Sequence, residues 1–278
     1  MTDLLANRLI DLLALQQAGL ARRELLQLFD PAEAEPELGL DLPPLLHAYE
    51  PELRSGCTAA WALLERCEEL GISLHPIFAP SYPQRLRRLG AGRPLLLYSR
   101  GNSELMQAPS TVCIVGTRQP DAAGAARAYQ LGYETARRGA VVISGLARGC
   151  DAEAHRGALS AAGGATLAVV AAGLDVTYPE EHTELSEQLL AHGGLLLSEY
   201  PPGVGVARER FVQRDRLLAA LADEVQVVQC GLDSGTLHTV RAARRLHIPV
   251  AACSYPSYTE QSRGNEYLLE SGLAHPLC

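Results

Sequence analysis

Apolar positions along this chain follow two patterns. From Leu4 to about Glu69 the spacing is helical. Leu5, Leu9, Leu12 and Leu13 share one face, and Leu25 and Leu28 continue the pattern in a second segment. Asp30-Pro31 and the Pro43-Pro44 pair punctuate it, while Trp61, Leu64 and Leu70 predict a further helix ending near Gly71. After Gly71 an extended connector, bounded by Tyr82-Pro83 and Pro94, leads to a short strand at Leu95 to Tyr98. Apolar strands then follow at 112–115, 140–143, 166–171, 194–197, 225–229 and 248–252, separated by helical stretches such as 124–138 and 152–162. Strand–helix alternation of this kind predicts an α/β fold with a doubly wound, mostly parallel sheet over residues 71–278. A small all-α unit over residues 1–70 precedes it.

In such sheets ligands bind beyond the carboxyl ends of the strands. Gly116, Gly145, Gly173 and Ser198 all fall at those ends. The richest stretch runs from Ile143 to Asp151, where a strand breaks into a loop of small residues and a helix is expected to start at about Asp151. Unpaired amides at a helix start make a ready anion site. Ser144, Gly145 and Gly149 suit either a plain turn or close approach of a phosphate. Arg118, after Gly116 and Thr117, is read as a phosphate fork. Asp151 reads as the helix N-cap, and His155, one turn later, as its hydrogen-bond partner or a packed core residue. Ser234, Gly235 and Thr236 sit at another strand end, as a cap or a phosphate contact.

Composition narrows the chemistry. The chain of 278 residues is 47% apolar and 20% charged, an ordinary soluble globule. All 24 basic residues are arginine, which excludes a GxxxxGK[ST] loop and any lysine nucleophile. The net charge of −8 argues against indiscriminate nucleic-acid binding. Asp30, Glu33, Glu35, Glu37 and Asp41 supply much of the acid, however, while arginines recur at 118, 148, 208, 210, 214 and 216. Seven dispersed cysteines and the lack of a signal peptide or bilayer-spanning run point to a reducing cytoplasm, with no metal site. Ser144, His155 and Asp151 do not read as a hydrolase triad, because the G-x-S-x-G elbow is missing. The G-x-G-x-x-G dinucleotide fingerprint is missing as well, so no cofactor is implied.

Taken in order, the segments Ile114-Val115-Gly116-Thr117-Arg118, Ser144 to Asp151 with His155, Gly173-Leu174-Asp175 with Tyr178-Pro179, and Ser198 to Gly203 form a distinctive series. Phe211 with Arg214 and Arg216, then Ser234-Gly235-Thr236-Leu237 with Thr239, complete it. The series, spanning roughly 71–275, resembles the bacterial DNA-processing protein A family (DprA, also called Smf). The resemblance implies an extended Rossmann fold behind a helical module of sterile-alpha-motif type. It also implies single-stranded DNA binding in natural transformation, loading of the RecA recombinase, and homodimers that catalyse no reaction. The family's DNA pocket maps onto Gly116, Thr117 and Arg118, onto Ser144, Gly145, Ala147, Arg148 and Gly149, and onto Phe211, Arg214 and Arg216, with Ser234, Gly235 and Thr236 beside them. Phe211 would stack a base between phosphate contacts.

The chain departs from the family pattern at four positions, the first being Val212, which stands in place of a proline. Asp215 replaces an asparagine, Gln229 replaces a glutamate, and Cys150 replaces an isoleucine. Asp215 would either repel phosphate or be neutralised by its arginine neighbours. A winged-helix domain carried by many members is not expected after Cys278. The rival reading is a nucleotide sensor or a nucleotide-processing enzyme akin to the phosphoribohydrolases. Their Pro-Gly-Gly-x-Gly-Thr loop is replaced here by Asp233-Ser234-Gly235-Thr236.

Overall fold

The structure is a computed structural model and describes residues 3–30 and 46–277. Pro43-Pro44 and the acidic residues Glu33, Glu35, Glu37 and Asp41 lie outside the described residues. Among the described residues, nine strands form one sheet in the order β1-β2-β6-β5-β4-β3-β7-β8-β9. They are β1 (Ser73–Pro76), β2 (Leu96–Gly101), β3 (Thr111–Val115), β4 (Val141–Ser144), β5 (Thr166–Val170), β6 (Leu195–Ser198), β7 (Glu224–Val227), β8 (Val250–Cys253) and β9 (His275–Leu277). From β6 to β9 every pairing is parallel; β1 and β2 add an antiparallel flap at the β6 edge.

The predicted strands appear within a residue or two of their expected bounds, except that β2 runs three residues past its expected end at Tyr98. β4 and β5 are buried along almost their whole length, and residues covered on both faces read as unbroken apolar runs. β1 and β9 escaped prediction. Each is a short edge strand with polar or proline positions, and β9 is largely exposed.

Chain order reverses between β3 and β7. The chain steps outward from β3 through β4 and β5 to β6, then returns to place β7 on the other side of β3. A crevice opens at such a switch point because the loops after β3 and β7 leave in opposite directions.

Helices at Asp3–Gln17, Arg22–Phe29 and Glu50–Glu69 precede β1. Leu9, Leu12 and Leu13 are buried as expected, and they join an apolar cluster that continues through Tyr82 and Leu97 into the sheet. Asp30 is not part of a solvated acidic face. It is fully buried and ion-paired with Arg93 and, at 3.3 Å, with Arg87. No helix among the described residues is long and apolar enough to cross a membrane.

Candidate functional site

The β3 loop begins at Gly116 and ends where Asp121 caps the helix Ala122–Arg137, its carboxylate accepting from Gly124 N at 2.8 Å. Thr117 ties this loop to its neighbours. Its amide donates to Gln229 O at 2.7 Å, and its carbonyl accepts from Cys150 N at 3.1 Å. Gly116 is needed for close approach: a Cβ there would lie 2.5 Å from Cys150 Sγ. Gly149 combines a positive φ of 72° with a backbone approach to Thr117 O that leaves no room for a side chain.

These loops, with the ends of helices Arg208–Leu221 and Thr236–Arg245, line a crevice of about 770 Å³. Gly116, Thr117, Arg118, Ala147, Phe211, Arg214, Ser234, Gly235 and Thr236 all contribute to its wall. Gly145 and Arg148 line a small adjoining depression, shared with Arg118, Phe211, Tyr178 and Pro179. Ser144, Gly149 and Arg216 line neither.

At the mouth, Arg118 is exposed and carries no ion pair among the described residues. Its guanidinium lies over the Phe211 ring, 5.1 Å from the centroid. Tyr178 also packs against Phe211, with centroids 5.6 Å apart and ring planes at 54°. Nothing in the residues around Tyr178 assigns it this place; its pairing with Pro179 in a distinctive motif is the available signal. Arg208 is exposed and also lines the crevice.

Four expectations are corrected. The first concerns the helix start after β4. Helix Cys150–Ser160 begins one residue early, with Gly149 as its N-cap, so Asp151 lies within the first turn. The buried Asp151 carboxylate turns back and accepts from Gly145 N at 3.1 Å, and also from the Ala147 amide. An internal carboxylate therefore fills the place where a bound anion was expected. His155 hydrogen-bonds Thr166 Oγ1 at 2.7 Å rather than Asp151, and burial pulls its imidazole down to about 3.

Second, the Ser144 hydroxyl is buried and donates to Ile114 O at 2.6 Å, bracing β4 against β3. Third, Arg214 is no free fork. It is only 4% exposed. Its Nη1 donates to Gly145 O at 2.8 Å and Val169 O at 2.6 Å, while Nε pairs with Asp215 Oδ1 at 3.1 Å. A Cβ on Gly145 would overlap this guanidinium, at 2.1 Å from Nη1. Fourth, Arg216 faces elsewhere, bound to Glu199 at 2.7 Å and to Gly92 O at 3.2 Å. Five residues along a helix carry a side chain about 140° round, so Phe211 and Arg216 cannot share a face.

Arg148 keeps its exposure but pairs with Glu181 at 2.6 Å. An exposed pair of this kind is weak and opens at little cost. Ser234 Oγ accepts from Thr236 N at 3.3 Å in the turn that precedes helix Thr236–Arg245, and this loop faces the crevice.

The two substituted polar positions have partners. Gln229 is buried; its Oε1 accepts from Asp121 N at 3.0 Å, and its Nε2 donates to Asp121 Oδ2 at 2.8 Å. An amide meets both demands of that site, whereas a carboxylate would set like charges together. Asp215 pairs through Oδ1 at 3.1 Å with Arg214, one of its arginine neighbours, and this contact leaves Oδ2 unengaged.

Burial pushes the Asp151 carboxyl up to about 6. An unfolded aspartate titrates near ~3.9. The folded state therefore holds a proton that the unfolded chain releases, and this contribution to stability is lost as pH rises from about 4 to about 6. The expected loss is roughly 3 kcal/mol, from ~1.4 kcal/mol per pH unit. In Asp151→Asn the loss is absent. Urea unfolding of both proteins across pH 4–7 checks this, and parallel profiles would refute it.

Comparison with known proteins matches residues 73–278 to the family of DNA recombination-mediator protein A. The putative DNA processing protein DprA of Mycobacterium tuberculosis is 43% identical over 180 residues, covering 64% of this chain and 46% of the relative. DNA processing protein DprA of Bacillus subtilis is 35% identical over 181 residues, covering 65% and 60% respectively. The chain thus matches about half of the length of these relatives. The crystal structure of DNA processing protein A from Streptococcus pneumoniae superposes with a TM-score of 0.75 at 28% identity, covering 96% of this chain and 94% of that one. DNA processing protein A from Helicobacter pylori, solved for its single-stranded DNA binding mode, superposes at 0.66 with 32% identity, over 74% and 90%. With the match running from β1 to the carboxyl end, the chain belongs to the DNA recombination-mediator protein A family.

Proposed function

We propose that this protein binds single-stranded DNA taken up during natural transformation, shields it, and helps load RecA onto it. It acts in the cytoplasm as a homodimer and catalyses no reaction. The observation that carries this reading is the unpaired Arg118 guanidinium stacked on Phe211, beside Tyr178, at the mouth of the switch-point crevice. A cation next to aromatic rings is the recipe for gripping a single strand: the cation takes a phosphate while a ring takes a base. The single-stranded DNA binding mode described for the Helicobacter pylori protein supports it.

Asp151 takes the loop amides of Gly145 and Ala147, and Asp121 takes the Gly124 amide at a helix start, so side chains do the phosphate work. Arg118 and Arg208 are the principal candidates, with Arg148 available once it leaves Glu181. Ser234 and Thr236 add hydroxyls along the opposite wall.

Fluorescence anisotropy with an oligothymidylate tests the reading. Phe211→Ala is expected to lose ~1–3 kcal/mol, the worth of one stacked base. The slope of log affinity against log salt stays unchanged, because an aromatic ring releases no ions. A crevice of about 770 Å³ with acidic groups on its floor also suits a mononucleotide. Tight binding of mononucleotides with no binding of the oligomer would favour that second reading.

A further inference from the structure

The crevice wall that suits a phosphodiester also carries a carboxylate one turn away from the stacking ring. Phe211 and Asp215 stand four residues apart on helix Arg208–Leu221, so they share a face at ~5–6 Å between their Cβ atoms. Asp215 Oδ1 is taken by Arg214 Nε at 3.1 Å. Its Oδ2 accepts no hydrogen bond among the described residues and is open to the crevice. Asp151, deeper in the wall, is already satisfied by amides. Burial raises the Asp215 carboxyl above its ordinary range, and the nearby Arg214 and Arg118 guanidiniums offset part of that rise.

An open carboxylate oxygen repels a phosphate and attracts an N–H. A base lying on Phe211 extends its hydrogen-bonding edge over the next helical turn, toward Asp215. Cytosine, adenine and guanine bear exocyclic amino groups there, and a carboxylate accepting from cytosine N4 is a known form of base readout. Thymine offers only its N3–H, set between two carbonyl oxygens that face the carboxylate with like charge. We infer that Asp215 is a specificity-determining residue, making the stacking position at Phe211 prefer amino-bearing bases over thymine. This inference rests on the single-strand reading above.

The test compares fluorescent dodecamers of deoxycytidylate and deoxythymidylate at one salt concentration, with wild type and Asp215→Asn. Wild type is expected to bind the cytidylate oligomer about five- to tenfold more tightly, the discrimination of one base-edge contact. Asparagine keeps the shape and can still accept from Arg214 Nε, so the variant is expected to bring the ratio close to one. Equal affinities in wild type, a preference for thymidylate, or a ratio that survives in the variant each overturn the inference while leaving single-strand binding intact. Failure of wild type to bind either oligomer overturns both readings. Competition by dCMP and dTMP on the unaltered protein gives the same discrimination even if the variant does not fold, and equal competition counts against the inference.

Discussion

Arg118→Ala is expected to weaken single-strand binding by about ten- to a hundredfold, the value of a charge-assisted hydrogen bond at ~1.5–3 kcal/mol. Arg118 is exposed at the mouth and makes no salt bridge among the described residues, so no close ion pair must break before it meets a phosphate. Its position over Phe211 holds the guanidinium ready, and the planar fork suits a phosphate. The salt dependence should also become shallower, by roughly 0.7 in the slope of log affinity on log salt for each phosphate no longer engaged. Arg148→Ala serves as the comparison. Arg148 already engages Glu181 at 2.6 Å and is expected to show the smaller effect. Anisotropy titrations at several salt concentrations read both quantities. An Arg118→Ala protein with unchanged affinity and slope would remove the central interaction of the proposed site.

Arg214→Ala is expected to act on folding rather than on DNA binding. The guanidinium joins helix Arg208–Leu221 to the ends of β4 and β5 through Gly145 O and Val169 O, and it is the ion-pair partner of Asp215. Removing one partner of a buried pair leaves an uncompensated charge and costs about 3–5 kcal/mol. Asp151, raised by burial and held down by Arg214, is left without its main opposing charge. At ~2–4 °C per kcal/mol for a chain of this size, the melting temperature should fall by about 10 °C. Replacing Asp215 together with Arg214 should recover part of the loss, because the orphaned carboxylate goes too. Urea unfolding and thermal melts measure the effect. A variant that melts like wild type but shows a shallower salt slope would restore Arg214 to the phosphate-binding set.

These two arginines show how far the sequence could be read. Arg118 follows a strand-end glycine and Arg214 follows Phe211 in a helix, yet neither residue type nor spacing tells a surface fork from a buried brace. Helical periodicity excludes Arg216 from the Phe211 face once the segment is known to be helical. It leaves Arg214 and Asp215 on the crevice side, and only the approach of β4 and β5 decides that Arg214 is enclosed. Asp151 is similar. A small-residue loop before a helix predicts an anion site, but a carboxylate one residue inside the helix reaches back to take the loop amide of Gly145. Gln229, a departure from pattern in the sequence, is explained when Asp121 is found beside it across the switch point.

The order of buried strands, the helices between them and the glycines at strand ends were set by local rules. Burial on both faces demands continuous apolar runs, and tight turns demand residues without side-chain bulk. The sequence alone therefore determined a doubly wound sheet and the loops that form its binding edge. Which charged groups on those loops remain available to a ligand was decided only in three dimensions. A guanidinium or carboxylate is satisfied by whatever partner lies within hydrogen-bond reach, and for Arg214, Arg216 and Gln229 those partners include groups distant along the chain.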